Sequence, residues 1–503
     1  MSDTEEQEQI ARAIALSLSG LESRLTEEER ETQDLKEAVA ASLGKSVDSL
    51  TARDMLTAGS VSYKRPREQE PIVAEQRKVV VRRFDYSNQQ FWDGVVKLTY
   101  VKGFVGQTFI RFEDIVQKTK LKKALVTAFV CSMDFIEDNF PANVNVCIVT
   151  HGRPATKAQL SQYRTIIRPH LKDEKFGVFH PKMMLLFYEA HMRVVIGSAN
   201  MERYDYEDLE NVVFIQDFPK RRNDQPAIRT TSDLPPFARD ICELLDHMQV
   251  PPPVKHELLL YDFAKAKAHI VASVSGVFEG PEQYKKYGHT RLADVVQNIT
   301  GFNLDPKSYP KVEMQTSSLG SLSVYYLNEL YKSFCGIPAY LNGKMSAPIV
   351  KKNEIPPIDI IYPSRDTVHD SRLGPPGAGT ICLNTSTWKK PTFPKQVMCD
   401  AISQRPGTLM HSKYIIATLP QPVLKDGKNV KGWVYCGSHN ATVSAWGKFT
   451  VSRESKQPKM NISNWELGVV LPIHEDTDIP APYLRPAPRY RDSQEAWTQN
   501  MEW

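Results

Sequence analysis

Phe176-Gly177-Val178-Phe179-His180-Pro181-Lys182-Met183-Met184-Leu185-Leu186-Phe187, followed by Val194-Val195-Ile196-Gly197-Ser198-Ala199-Asn200, has a counterpart later in the chain. That counterpart is Leu409-Met410-His411-Ser412-Lys413-Tyr414-Ile415-Ile416, followed by Val434-Tyr435-Cys436-Gly437-Ser438-His439-Asn440. Each copy reads H-x-K, an apolar run, then G-S-x-N. His180 and Lys182 stand two apart inside an apolar run, so on a strand they point to one face, and so do His411 and Lys413. In both copies a second apolar run leaves through Gly-Ser-x-Asn, a strand-to-loop exit. The histidine-to-asparagine distance is 20 residues in the first copy and 29 in the second. The extra length falls in the turn-rich stretch from Leu419 to Gly432, where a loop lengthens at little cost.

Two such halves brought together supply two imidazoles, two ammonium groups and two amides. That set suits a phosphodiester: lysines and asparagines hold non-bridging oxygens as charge builds at phosphorus, one imidazole attacks, and the other protonates the leaving oxygen. A lone buried H-x-K is as readily a satisfied core pair; its recurrence with G-S-x-N argues for chemistry.

The paired motifs resemble the phospholipase D superfamily, whose usual pattern is H-x-K-x4-D. This chain has Phe187 and Thr418 where the aspartates would fall. Loss of both, with asparagine downstream, resembles the tyrosyl-DNA phosphodiesterase branch, here of fungal type. Further matches are Gln315 to Leu322, Tyr362-Pro363-Ser364, Ala445-Trp446-Gly447 and Trp465 to Val469. The resemblance covers residues 80–503. It implies an α/β fold of two similar α/β/α sandwich halves related by a pseudo-two-fold axis, 80–265 and 266–503.

Composition sets the frame. The chain has 503 residues, 41% hydrophobic and 24% charged, ordinary for a soluble globular protein with large cores. No apolar run approaches the ~18 residues that span a bilayer, and the acidic N-terminus lacks a signal-peptide layout. Seven scattered cysteines form no C-x-x-C pair, so neither a zinc site nor a disulfide framework is expected, and a reducing compartment fits. Residues 1–60 carry 13 Asp/Glu against 6 Lys/Arg, while the remainder carries 57 Lys/Arg against 46 Asp/Glu. A basic body suits a polyanionic partner.

Residues 1–45 hold a second repeat. Ile10, Ala13, Ile14 and Ser17 lie at i, i+3, i+4 and i+7 on one helix face, and Leu35, Ala38, Val39 and Ser42 repeat the spacing. Acidic residues precede both, where they favour a helix N-terminus. The pattern resembles the ubiquitin-interacting motif and implies ubiquitin or ubiquitylated proteins as partners; two solvated amphipathic helices are the plainer reading. Such short helices are weak alone, so this N-terminal region is expected to be mostly disordered with two short helices. Residues 46–79 read as a linker, in which Lys64-Arg65-Pro66-Arg67 can serve nuclear import or simply be surface.

From 80 onward helix and strand signals alternate, an α/β pattern. Helices are expected near Phe112 to Lys118, Asp134 to Asn139, Phe237 to His247 and Gly288 to Gln297. Strands are expected at Ala124 to Val130, Val144 to Val149, Val212 to Ile215, Ile270 to Val274 and Lys311 to Met314. His151 to His170 reads as a polar helical connection. Lys220-Arg221-Arg222 is a loop that can touch phosphate. Phe129, near a strand end, lines either a cleft or the core. The tail from Pro480 is expected to wrap the surface as irregular chain.

The family resemblance assigns roles. His180 attacks phosphorus at a DNA 3′ end, expelling a tyrosine or similar adduct and leaving a phosphohistidine; His411 is acid, then base. Lys182, Lys413, Asn200 and Asn440 hold the phosphoryl group. Glu466 matches the glutamate that orients one histidine. Asn211 stands where the family has a glutamine that orients the other, and is one methylene shorter. Phe176 stacks on a nucleobase, and Ser317, Ser318 and Ser364 meet DNA, with local turn bonds as the alternative for each serine; Phe129 is a DNA-binding candidate from its place near a strand end, with a core aromatic as the alternative. The implied partners are single-stranded or nicked DNA with 3′-blocked ends and a topoisomerase I-derived peptide, acting with a monomer in the nucleus, away from membrane, without cofactor or metal. The rivals are another phosphodiesterase or nuclease of the superfamily, and a ubiquitin-binding adaptor with vestigial catalytic halves.

Overall fold

Two sheets carry the two H-x-K copies. The computed structural model describes residues 85–499 apart from 173–176, 227, 302–304, 352–353 and 478. The repeats of residues 1–45, the linker and Phe176 therefore lie outside the described residues.

The first sheet comprises β1 (Val95–Thr99), β2 (Phe109–Ile110), β3 (Lys123–Ala128), β4 (Asn145–Thr150), β5 (Thr156–Ser161), β6 (Arg164–Arg168), β7 (Met183–Phe187), β8 (His191–Gly197) and β9 (Val212–Pro219). Their order is β2-β1-β9-β8-β7-β3-β4-β6-β5. The second sheet comprises β10 (His269–Ser273), β11 (Lys311–Gln315), β12 (Ile358–Tyr362), β13 (Met398–Asp400), β14 (Tyr414–Lys425), β15 (Lys428–Gly437) and β16 (Glu466–Ile473), in the order β10-β16-β15-β14-β11-β12-β13. Strand for strand, β1-β9-β8-β7-β3-β4-β6 matches the whole second sheet. In both, the first four pairings are antiparallel and the last two parallel. The chain thus holds two α/β halves of one topology, each presenting its H-x-K hairpin near the sheet centre.

Side-chain alternation on the hairpins builds the layers. Met183, Leu185 and Phe187 of β7 and Tyr414 and Ile416 of β14 enter one shared core, with Val194, Val434 and Leu467. The intervening residues face outward cores: Met184 and Leu186 on the first half, Ile415 and Ala417 on the second. Both faces are buried along β7 and β8 and, in the second hairpin, along Tyr414 to Ala417 and Trp433 to Gly437, so these stretches read as unbroken apolar runs. The helix Pro236–His247 starts on Pro at N1 and buries Phe237, Ile241, Leu244 and Leu245 in the shared core. The helix Gly288–Thr300 packs Leu292, Val295, Val296 and Ile299 against the helix Val324–Phe334 on the outer face of the second sheet.

The expected helices and strands fall close to their places, with one correction. His151 to His170 is a β-hairpin, β5 and β6, rather than a helix. β5 is polar because every one of its residues is exposed at the sheet edge. β6 instead extends the parallel run beside β4. The tail does wrap the surface. Asp400 donates to the Pro488 carbonyl (2.7 Å) and Tyr490 to the Met398 carbonyl (3.1 Å), so the tail covers the outer edge of β13.

Candidate active site

The H-x-K triplets lie just before their strands, not within them: β7 begins at Met183 and β14 at Tyr414. Their backbones reach across to the other half. Phe179 bridges Trp465, with His180 N–H on the Trp465 carbonyl (3.0 Å) and Trp465 N–H on the Val178 carbonyl (2.8 Å). Met410 bridges Glu210 in the same way, with His411 and Ser412 N–H on the Glu210 carbonyl (2.9 and 3.1 Å). The residue before each histidine therefore pairs with the residue before Glu466 or before Asn211. Buried Arg405 anchors the second crossing through both carboxylate oxygens of Glu210 and the Thr99 carbonyl.

Each lysine side chain turns onto its own lead-in: Lys182 Nζ donates to the His180 carbonyl (2.8 Å) and Lys413 Nζ to the His411 carbonyl. The glycines of G-S-x-N allow close strand approach. A Cβ on Gly197 would lie 2.5 Å from the Val212 carbonyl, and one on Gly437 2.5 Å from Gly468 Cα. The asparagines after them are oriented by their oxygens. Asn200 Oδ1 accepts from Val130 N–H (3.3 Å), and Asn440 Oδ1 from Ser318 N–H (3.1 Å), Thr316 Oγ1 (3.1 Å) and Ser317 Oγ (3.3 Å). A backbone N–H can meet only the amide oxygen, so both NH2 ends are left for the cleft.

The two histidines are aimed from opposite halves. His180 Nδ1–H donates to Glu466 Oε2 (2.7 Å). That carboxylate also accepts from Ser438 Oγ (2.5 Å) and Asn464 Nδ2 (3.3 Å). His411 Nδ1–H donates to Asp205 Oδ2 (3.1 Å), and the same oxygen accepts Asn200 N–H (2.5 Å). Asn211 occupies the register of Glu466 but does not meet His411. Its Oδ1 accepts from Ser198 Oγ (2.8 Å), as Glu466 does from Ser438, and its Nδ2 donates to the Asp205 carbonyl (2.8 Å). The side chain is a methylene too short, and Asp205, on the helix Arg203–Glu207, stands in its place.

Charge in the cleft is strongly coupled. Burial, with Lys182, Lys413 and His411 nearby, holds His180 well below its ordinary value and so neutral. Burial pushes His411 down to about 4, the Lys413 charge adding to it and Asp205 opposing. Burial lowers Lys413 to about 7 against the pull of Asp205 and Glu466, and puts Lys182 well below the ordinary lysine range, its neighbour Lys413 adding. Burial alone would raise Asp205, but His411, the Asn200 N–H and Lys413 hold it below the usual carboxylate range. Two buried lysines whose charged forms burial disfavours despite Asp205 and Glu466 nearby gain from an entering anion, which makes the cleft a receptor for one.

Phe129 lines this cleft: its ring stacks on His151 (4.8 Å) and tilts over His180 (5.7 Å). Ser317 and Ser318 adjoin it, engaged with Asn440. Ser364 is a correction. It is fully buried and caps the helix Arg365–His369, and its hydroxyl donates to Asp400 Oδ2 (2.8 Å), so no donor faces outward for DNA. Arg222 pairs with Asp224 (3.3 Å) on its loop. Among the described residues no cluster of three His, Cys, Asp or Glu forms a metal-binding group.

A two-half α/β chain with crossed H-x-K hairpins has the phospholipase D-like fold. The structure of the yeast tyrosyl-DNA phosphodiesterase superposes with a TM-score of 0.60 over 81% of this chain and 100% of that one, at 18% identity. The model of the tyrosyl-DNA phosphodiesterase family matches residues 95–501, and the chain belongs to that family. Tyrosyl-DNA phosphodiesterase 1 of Arabidopsis thaliana is 22% identical over 423 residues, covering 79% of this chain and 65% of the relative. Its Drosophila melanogaster namesake is 27% identical over 310 residues, covering 59% and 50%. The chain thus spans between half and about two thirds of the length of these curated relatives.

Proposed function

We propose that the chain is a DNA-repair phosphodiesterase that removes tyrosyl and related adducts from DNA 3′ ends. The observation that carries this is the pair of imidazoles, each aimed by a carboxylate of the opposite half, beside two lysines and two amide NH2 groups. A phosphodiester anion entering between Lys182 and Lys413 offsets the burial and the Lys413 charge that keep His411 neutral and draws a proton onto its Nε2. His180 Nε2 then forms the N–P bond while the P–O bond to the leaving group breaks, and the leaving oxygen takes the His411 proton. Water next attacks phosphorus and gives its proton to His411 Nε2, and the N–P bond breaks to return neutral His180. The lysines and the asparagine amides meet the charge on the non-bridging oxygens throughout, so activity is expected to persist in chelator.

Phe129, Ser317 and Ser318 lie where the scissile end would enter, and Phe176, four residues before His180, is proposed to stack on a base. The substrate is single-stranded or nicked DNA with a blocked 3′ end, including topoisomerase I-derived peptide, with the enzyme working as a monomer in the nucleus. The repeats of residues 1–45 are proposed to bring this fungal-type member to ubiquitylated adducts. Incubation with a 3′-phosphotyrosyl oligonucleotide and with phosphatidylcholine separates this reading from other members of the superfamily. Release of tyrosine from the first alone is expected; turnover of lipid alone would overturn it. A protein lacking residues 1–45 should keep its chemistry and lose ubiquitin binding, whereas an adaptor would show no turnover at all.

A further inference from the structure

We propose that Asp205, not Asn211, is the positioning residue of His411. The inference rests on the reading of the two histidines given above. Asp205 is buried, and its Oδ2 lies 3.1 Å from His411 Nδ1 and 2.5 Å from the Asn200 backbone nitrogen. One carboxylate oxygen thus serves both the acid–base histidine and the phosphoryl-holding asparagine. Both polar atoms of Asn211 are already taken, Oδ1 by Ser198 Oγ and Nδ2 by the Asp205 carbonyl. Asn211 therefore acts at one remove, by bracing the backbone that carries the carboxylate.

The short helix Arg203–Glu207 is fixed on two sides, which a positioning role requires. Tyr206 packs on Phe112 (4.6 Å) and Phe135 (5.8 Å), and Tyr204 Oη donates to the Gly377 carbonyl (2.5 Å) of the second half. With Nδ1–H held by Asp205, only Nε2 of His411 carries the proton out and back; the Nδ1 proton stays in place in both displacements. The ionised carboxylate also stabilises the imidazolium that must form before the leaving group departs.

The test compares Asp205→Asn, Asp205→Ala and Asn211→Ala in the full chain with selectively ¹⁵N-histidine-labelled protein, His411 being assigned through His411→Ala. Unaltered protein is expected to show His411 protonated at Nδ1. Asp205→Ala is expected to shift the ring toward the Nε2–H tautomer; in Asp205→Asn the Asn200 N–H holds the amide oxygen in place, so the Nδ1–H tautomer stays while the imidazolium loses its counter-charge and titrates lower. Both variants should also slow decay of the His180 adduct by about 10-fold or more and displace the pH profile, since the carboxylate holds the acid–base imidazole in its working tautomer and charge state. An unchanged His411 tautomer in Asp205→Ala, or an unchanged His411 titration in Asp205→Asn, overturns the proposal, as does Asn211→Ala moving them equally. If unaltered protein fails to cleave the phosphotyrosyl oligonucleotide, the functional reading falls, while the nitrogen signals still decide what holds His411.

Discussion

The first and second halves share a strand order and a hairpin but solve one problem differently. His180 receives its carboxylate from β16 of the second half, through Glu466 at the strand start. His411 receives its own from a helix of the first half, because Asn211 at the matching place stops short. The equivalent serines, Ser198 and Ser438, make the same bond to Asn211 and Glu466. Backbone register is thus preserved while the side chain doing the aiming has moved. A topological repeat fixes where a residue stands; one methylene decides what it reaches.

Exchanging the histidines breaks the comparison most severely. His180→Ala is expected to lower turnover by about 10⁴-fold or more and to leave no covalent DNA adduct. His411→Ala should cost about 10²–10⁴-fold and let the adduct on His180 accumulate. Rapid-quench gels score both, and an adduct forming in His180→Ala would reverse the assignment of the halves. Glu466→Gln comes next. Loss of the anion behind His180 should slow adduct formation by about 10²-fold or more, within the range for a neutralised triad carboxylate. Asn211→Ala should instead appear in thermal unfolding, at about 1–3 kcal/mol for two lost buried hydrogen bonds, with less effect on rate than Glu466→Gln.

The lysines give a smaller, pH-borne effect. Burial lowers Lys413 to about 7, so the cation is present below that pH and lost above it. Affinity for inorganic vanadate should weaken as pH rises through about 7, and binding above it should take up a proton, read by calorimetry in buffers of different ionisation enthalpy. The gentlest test is acid stability. His411 and His151 fall to about 4 and His439 to about 3 through burial. The unfolded chain binds their protons first on acidification, so stability is complete above about 6.5 and declines as pH falls toward 4. A melting temperature flat across that window would show these rings to be solvated.

Much of this could be read in the chain. The repeated H-x-K and G-S-x-N runs name the hairpins because strand periodicity and an apolar run are local signals. Glu466 could be found because it opens a strand that a family pattern marks. Asp205 could not: it lies 206 residues from His411, in a short polar stretch with nothing local to distinguish it from surface. β5 escaped for a related reason, since an edge strand in water loses the apolar alternation that announces a strand, and β6 beside it is short and flanked by arginines. Ser364 shows the reverse error, a hydroxyl at a suggestive place that a helix start had already claimed.

The tail that runs along β13 has a consequence for the integrity of the whole molecule. In the first sheet the outer parallel strand is shielded by its own hairpin partner, whereas the second relies on residues near 490, far along the chain. A chain cleaved near 480 would leave the Asp400 N–H and the Met398 carbonyl of β13 unanswered, an edge on which another copy could add a strand. Clipping by a protease there should therefore surface first as aggregation during storage, before any deficit in chemistry is measurable.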